Sequence, residues 1–132
     1  MIFCSYNIRG LNNKSNFVKD FIRNNKLSFF TLLETHVQQE NSKALSSYIA
    51  PSFKWLFNYD SHHSGRIWVG WDPCFWTVNL LSSHAQHITC SICHFSSQQS
   101  FIVSFIYAAN SEIERRVLWT DLVRIQTDHI SP

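Results

Sequence analysis

Glycine and proline are scarce in this chain, with three of each among 132 residues. With 45% hydrophobic and 15% aromatic residues, that scarcity excludes a collagenous, low-complexity or disordered polypeptide. Long apolar runs are also missing: nothing approaches the roughly 18 uninterrupted apolar residues of a membrane span. The opening residues lack a positive n-region followed by a long apolar stretch, because Ser5 interrupts the first apolar segment. These absences predict an intracellular protein of the nucleus or cytoplasm, not secreted and without a membrane partner. In that setting Cys4, Cys74, Cys90 and Cys93 are expected to stay reduced. An excess of one charge is lacking as well. Eleven Lys and Arg against nine Asp and Glu leave a net charge of +2, too little for a basic nucleic-acid-binding tail. Lys14, Lys19, Arg23 and Lys26 still form a modest basic cluster, which permits a phosphate partner without requiring one.

What is present suits one domain over residues 1–132, long enough to bury a core without disulfides or a structural metal. Ile2 to Asn7 reads as a strand, and Arg9 to Asn13 as a turn-rich loop. Phe17, Val18, Phe21 and Ile22 recur at helical spacing after Ser15, a natural N-cap. Leu27 to Leu33 is a second strand ending in Glu34. Two strands joined through a helix are most simply parallel neighbours, and their carboxyl ends then share one sheet edge. Asn7 and Glu34 are therefore expected close together.

Further along, Ala44 to Ile49 reads as a short helix. Lys54 to Asn58, Arg66 to Trp71, Phe75 to Leu81, His87 to Phe95 and Gln99 to Tyr107 read as strands, with turns at 61–65, 72–73 and 96–98. In the last strand both faces are apolar, Phe101, Val103, Phe105 and Tyr107 against Ile102, Ile106 and Ala108, which predicts cover on both sides. Ser111 and Glu114 form a capping box. Behind it, Ile113, Val117, Leu118, Leu122 and Ile125 mark one face of a helix ending near Asp128. The pattern as a whole is α/β.

Three ordered stretches carry a resemblance: Tyr6-Asn7-Ile8-Arg9-Gly10-Leu11, Leu33-Glu34-Thr35-His36 and Ile106-Tyr107-Ala108-Ala109-Asn110. Together they resemble the N-terminal half of the endonuclease/exonuclease/phosphatase superfamily, a DNase I-like α/β sandwich. With Gly65 to Asp72 they look most like the endonuclease domain of plant non-LTR (LINE-type) retrotransposons. The resemblance implies that Asn7 and Glu34 help to hold Mg²⁺ or Mn²⁺, and that Glu34, Tyr107 and Asn110 belong to the catalytic rim. It also implies that Tyr107 aims its hydroxyl at the scissile phosphate, that DNA is the ancestral substrate, and that a reverse transcriptase follows in the parent protein. An amide carbonyl and a carboxylate at one sheet edge are the hard oxygen donors that magnesium prefers. Arg9, near the same edge, is the better candidate for a phosphate contact than the basic helix face.

Members of that family continue into a Gly-Asp-x-Asn strand end and, much later, a Ser-Asp-His. Neither occurs in this sequence. The expectation is a truncated, single endonuclease-type domain, a remnant of a metal-dependent hydrolase that is inactive alone. The alternative is a non-catalytic fragment that serves as a binding module or has no selected role.

Blander readings stand beside these. Asn7 can be a strand-end turn residue, Glu34 an ordinary surface carboxylate, and Tyr107 a core cap with a wet hydroxyl. His36, His62 and His63 read as loop residues. Cys90-Ser91-Ile92-Cys93-His94 matches the haem c attachment pattern, but residues three apart on a strand point to opposite faces. The same objection excludes a zinc site built from His87, Cys90, Cys93 and His94. Trp55, Trp68, Trp71, Trp76 and Trp119 spread over several elements and read as core rather than as base-stacking platforms.

Overall fold

Two separate apolar cores organise the computed structural model, which describes residues 3–59 and 66–129. Along the chain run β1 (Cys4–Asn7), α1 (Ser15–Asn24), β2 (Phe29–Leu33), α2 (Gln39–Ile49), β3 (Lys54–Phe57), β4 (Ile67–Trp71), β5 (Trp76–His84), β6 (His87–His94), β7 (Ser100–Ile106) and α3 (Glu112–His129). One sheet has the order β1-β2-β4-β3, and the other is the meander β5-β6-β7. β1 and β2 are parallel, as a strand–helix–strand unit requires, and every other pairing is antiparallel.

Strand alternation assigns each face of the first sheet to a different core. Phe30 and Leu32 of β2 and Trp68 of β4 face Val18 and Ile22 of α1 and Ile49 of α2. Phe29, Ile67, Val69 and Trp71 face the second sheet, where Trp76, Ile88, Cys90, Ile92 and Phe105 meet them. Phe29 anchors this interface, with its ring centroid 5.2 Å from Trp76 and 5.7 Å from Phe105. α3 lies against the outer face of the second sheet, so the layers are helices, sheet, sheet, helix: the α/β sandwich expected from the pattern.

Several local expectations are corrected. Lys14, not Ser15, holds the N-cap position of α1, and its side chain makes no capping bond. α2 starts five residues before the short helix read at Ala44, because its polar first turns show no apolar period, although Ser42 and Ser46 are buried. β7 is covered on both faces only over its later part, where Val103 and Phe105 meet the first sheet and Ser104 faces α3; Phe101 and Ile102 nearer its start are exposed. Along α3 only Leu118 and Ile125 of the expected face are buried, while Ile113 and Val117 are exposed. The reason lies in the sheet beneath, whose outward row includes His87, Thr89 and Ser104 and offers α3 only a narrow apolar strip. Trp68, Trp71 and Trp76 are core residues, but Trp119 is 54% exposed. The turn at 61–65, with His62 and His63, lies outside the described residues.

β6 settles the Cys-x-x-Cys-His question. Cys90 is buried between the sheets, whereas Cys93 is turned away and only partly covered, and both thiols are free. Burial pushes the Cys90 thiol up to about 12, as expected of an inert core cysteine.

Candidate active site

Parallel pairing puts Asn7 beside Leu33, one residue before Glu34, at the carboxyl ends of β1 and β2. The loops that leave these strands are tied together by main-chain bonds. Ile8 N–H donates to the Leu33 carbonyl (3.0 Å), Gly10 N–H to that of Glu34 (2.8 Å) and Leu11 N–H to that of Thr35 (2.8 Å). From the other side, Glu34 N–H donates to the Arg66 carbonyl at the entry to β4 (2.6 Å). Glu34 is thus clamped by its backbone between the Arg9 loop and Arg66.

Its carboxylate points at the second sheet. The Tyr107 hydroxyl, just beyond β7, donates to Glu34 Oε1 at 2.9 Å. His36 Nε2 lies 3.7 Å from the same oxygen, and the Arg66 guanidinium sits over the Tyr107 ring, 5.6 Å from its centroid. Burial, then the hydrogen bond and charge of Glu34, raise the Tyr107 pKa, against the opposing pull of Arg66 and Arg9. The phenol is therefore held protonated, as a donor.

Three of the five non-glycine residues with positive φ among the described residues lie at this edge, the others being Lys26 and Gln98. Arg9, Glu34 and His36 all have positive φ (51°, 59° and 54°), a region non-glycine residues rarely enter. Such residues cluster at functional sites, where surrounding bonds enforce a conformation the side chain alone would avoid.

The remaining candidates line two separate cavities. Asn7 and Arg9, with Lys14, line one of about 720 Å³. Tyr107 and Asn110, with His36 and Arg66, line the other, of about 390 Å³. Asn7 Oδ1 accepts the Arg9 N–H at 3.1 Å, so its amide also closes the turn that the blander reading assigned to it. An amide oxygen has two lone pairs, and the turn uses one. The Asn110 side chain is exposed on the rim, and its carbonyl accepts a 2.7 Å bond from Arg115.

Sequence reasoning overlooked three contributors. Arg66 faces Glu34 because β4 runs antiparallel to β2, with Ile67 opposite Leu33. Gln86 braces the Tyr107 strand end: its carbonyl accepts Tyr107 N–H (2.9 Å) and its side chain binds Ala109 N–H (2.7 Å) and the Glu114 carbonyl (2.8 Å). Lys14 is more than a solvated helix residue, since its ammonium donates to the Ile8 carbonyl at 2.7 Å and braces the Arg9 loop. Arg66 lies within the quoted Gly65 to Asp72 stretch and Lys14 within the basic cluster, but neither pattern pointed to these contacts; Gln86 carried no signal.

No protein-family model and no curated protein matches the chain. Solved structures do match. D. rerio TDP2 complexed with single strand DNA product aligns with a TM-score of 0.65 at 8% identity, over 96% of this chain and 54% of that one. The endonuclease/exonuclease/phosphatase from Bacteroides vulgatus aligns with a TM-score of 0.65 at 10% identity, over 96% of this chain and 59% of that one. The chain therefore has the DNase I-like α/β sandwich fold and spans a little over half the length of these structures.

Proposed function

We propose that the Asn7–Glu34 edge is the cation- and phosphate-holding part of a DNA phosphodiesterase site, inherited from a retroelement endonuclease of the plant LINE type. The observation that carries this reading is the Glu34 carboxylate, bonded to a protonated Tyr107 and borne by a positive-φ residue one step beyond Leu33, the strand partner of Asn7. Asn7 Oδ1 and the Glu34 carboxylate are hard oxygen donors at one strand edge, a donor set that fits Mg²⁺ or Mn²⁺. A divalent cation held there would polarise a phosphodiester oxygen as a Lewis acid.

The chain's own side chains do the rest. Arg9 and Arg66 draw the phosphate to the edge, and the Arg66 charge over the Tyr107 ring helps to fix that ring. The Tyr107 hydroxyl, already a donor, turns from Glu34 to a phosphate oxygen. Asn110 on the rim offers its amide to the same group. His36 is the one imidazole lining this cavity among the described residues, and at 3.7 Å from Glu34 it is only loosely oriented. Positioning and electrostatics must act together for hydrolysis at enzymatic rates, so this chain by itself is expected to bind more than it cleaves. In this reading the chain is a single domain of a parent protein that also carried a reverse transcriptase. DNA as the polymer is supported by the single strand DNA product in the TDP2 structure of the same fold. A nuclear or cytoplasmic location follows from that substrate.

A binding role without hydrolysis is the second reading, favoured by Ile113, Val117, Trp119 and Val123, all exposed along α3.

The test has two arms on the purified chain: anisotropy of a labelled single-stranded oligonucleotide, and nicking of supercoiled plasmid, each with Mg²⁺ or Mn²⁺. Expected is oligonucleotide binding that EDTA and Glu34→Ala each weaken about tenfold, about 1.4 kcal/mol, with nicking at background. Binding indifferent to both would overturn the site. Nicking abolished by both would keep the site and overturn the inactivity.

A further inference from the structure

Away from that edge, the described residues hold one cluster of three metal-ligating side chains: His84, His87 and Asp121, with ligand atoms all within 4.8 Å of one another. His84 ends β5 and His87 opens β6, paired across the hairpin turn with ring centroids 5.0 Å apart. Asp121 reaches them from α3. The cluster borders a cavity of about 370 Å³ floored by Val117 and Leu118.

The His87 imidazole is what requires explanation. It is fully buried, yet its Nε2 has no hydrogen-bond partner. Asp121 Oδ2 stands 3.7 Å from Nε2, beyond hydrogen-bond length. Its other nitrogen, Nδ1, is 3.2 Å from Thr89 Oγ1, which in turn lies 2.7 Å from Ser104 Oγ. The Thr89 hydroxyl can accept from Nδ1–H as readily as donate to Nδ1. In the Nδ1–H tautomer Nε2 would present its lone pair towards a carboxylate oxygen, an arrangement that a cation between them completes.

We propose that His84, His87 and Asp121 bind a zinc ion that pins the β5–β6 hairpin to α3. Zinc takes imidazole nitrogen and carboxylate oxygen at about 2.0–2.2 Å, which puts tetrahedral ligand atoms roughly 3.3 Å apart. The His87–Asp121 pair is already near that spacing, and the exposed His84 side chain is free to close the remainder. The Thr89 hydroxyl supplies the outer-shell bond that fixes a ligating imidazole in its tautomer. Arg124 occupies Asp121 Oδ1 at 3.2 Å and leaves Oδ2 for the ion. The cavity leaves a fourth position for water. Two imidazoles with one carboxylate suit zinc rather than magnesium, so the site is chemically distinct from the Asn7–Glu34 edge and does not rest on the phosphodiesterase reading. A clamp here also has structural purpose, because α3 buries only Leu118 and Ile125.

The experiment titrates the full chain with Zn²⁺ against a chromophoric chelator, follows thermal unfolding with and without Zn²⁺, and uses Co²⁺ as a spectroscopic probe. Expected are one equivalent bound, a raised Tm, and visible Co²⁺ bands without thiolate-to-metal charge transfer, which excludes the four cysteines as ligands. His84→Ala, at an exposed position, and the isosteric Asp121→Asn should each weaken binding at least about tenfold, while Cys74→Ser, at an exposed cysteine outside the cluster, leaves it unchanged. Absence of binding, thiolate charge transfer, or an affinity that survives His84→Ala would overturn the proposal.

Discussion

Tyr107 and Glu34, 73 residues apart in sequence, are joined by a 2.9 Å hydrogen bond between the end of β7 and the end of β2. It ties the two sheets together at the rim where the candidate ligands converge. The same bond holds Glu34 in place and keeps the Tyr107 proton available as a donor, so structure and chemistry share one contact.

Tyr107→Phe should therefore destabilise the fold by about 1 kcal/mol, the usual net value of such a bond, because the released carboxylate can rehydrate. Glu34→Gln should lose less, since an amide oxygen still accepts. The measurement is the urea midpoint of both single variants and the double variant at unchanged slope. If the two single effects simply add, the bond contributes nothing and this account of the rim is wrong.

Gly70 is needed for space. A Cβ there would stand 2.5 Å from Trp55 Cζ3, with two further ring atoms at 2.6 and 2.7 Å. The Trp55 indole has little room to retreat, packed edge-on against Trp68 and stacked with Phe57. Gly70→Ala should cost about 1–3 kcal/mol through overpacking, read from chemical denaturation. Adding Trp55→Leu should recover part of that loss if the clash is the cause; no recovery would point elsewhere.

Alkaline pH provides a third check. The buried Tyr59 hydroxyl donates to the Val37 carbonyl at 2.7 Å and accepts from Trp68 Nε1 at 3.2 Å. Burial, aided by Glu40, raises its pKa more than the Trp68 and Ser42 hydrogen bonds lower it. Its folded pKa thus lies above the unfolded value of about 10, so the unfolded chain releases the proton first. The associated stability is present below about pH 10 and is lost as the pH climbs through the folded pKa. Cys90, at about 12, adds to the same alkaline loss. Tyr59→Phe should cost about 1–3 kcal/mol at neutral pH, by stranding Val37 and Trp68, yet show a shallower alkaline decline than the parent. Parallel declines in both proteins would remove Tyr59 from the explanation.

Much of this molecule was legible in local pattern. The first strand–helix–strand unit follows from apolar spacing between Ile2 and Leu33, and right-handed crossover geometry then makes Asn7 and Glu34 neighbours before any coordinates exist. Strand alternation alone separates Cys90 from Cys93. Where prediction failed, a long-range surface decided. The face of α3 was read from its own period, but burial depends on what lies beneath it, and the second sheet presents His87, Thr89 and Ser104 there.

Sequence by itself determined most of the elements, their order and the sheet edge that Asn7 and Glu34 share, because helix and strand periods and short connections are local properties of the chain. Tertiary structure alone decided that Tyr107 reaches Glu34, that Arg66 covers Tyr107, and that Asp121 comes to His84 and His87. Those contacts depend on how two sheets and a helix stack. Stacking is set by the summed fit of many apolar side chains, Phe29 against Trp76 and Phe105 foremost, and no local window of sequence contains it.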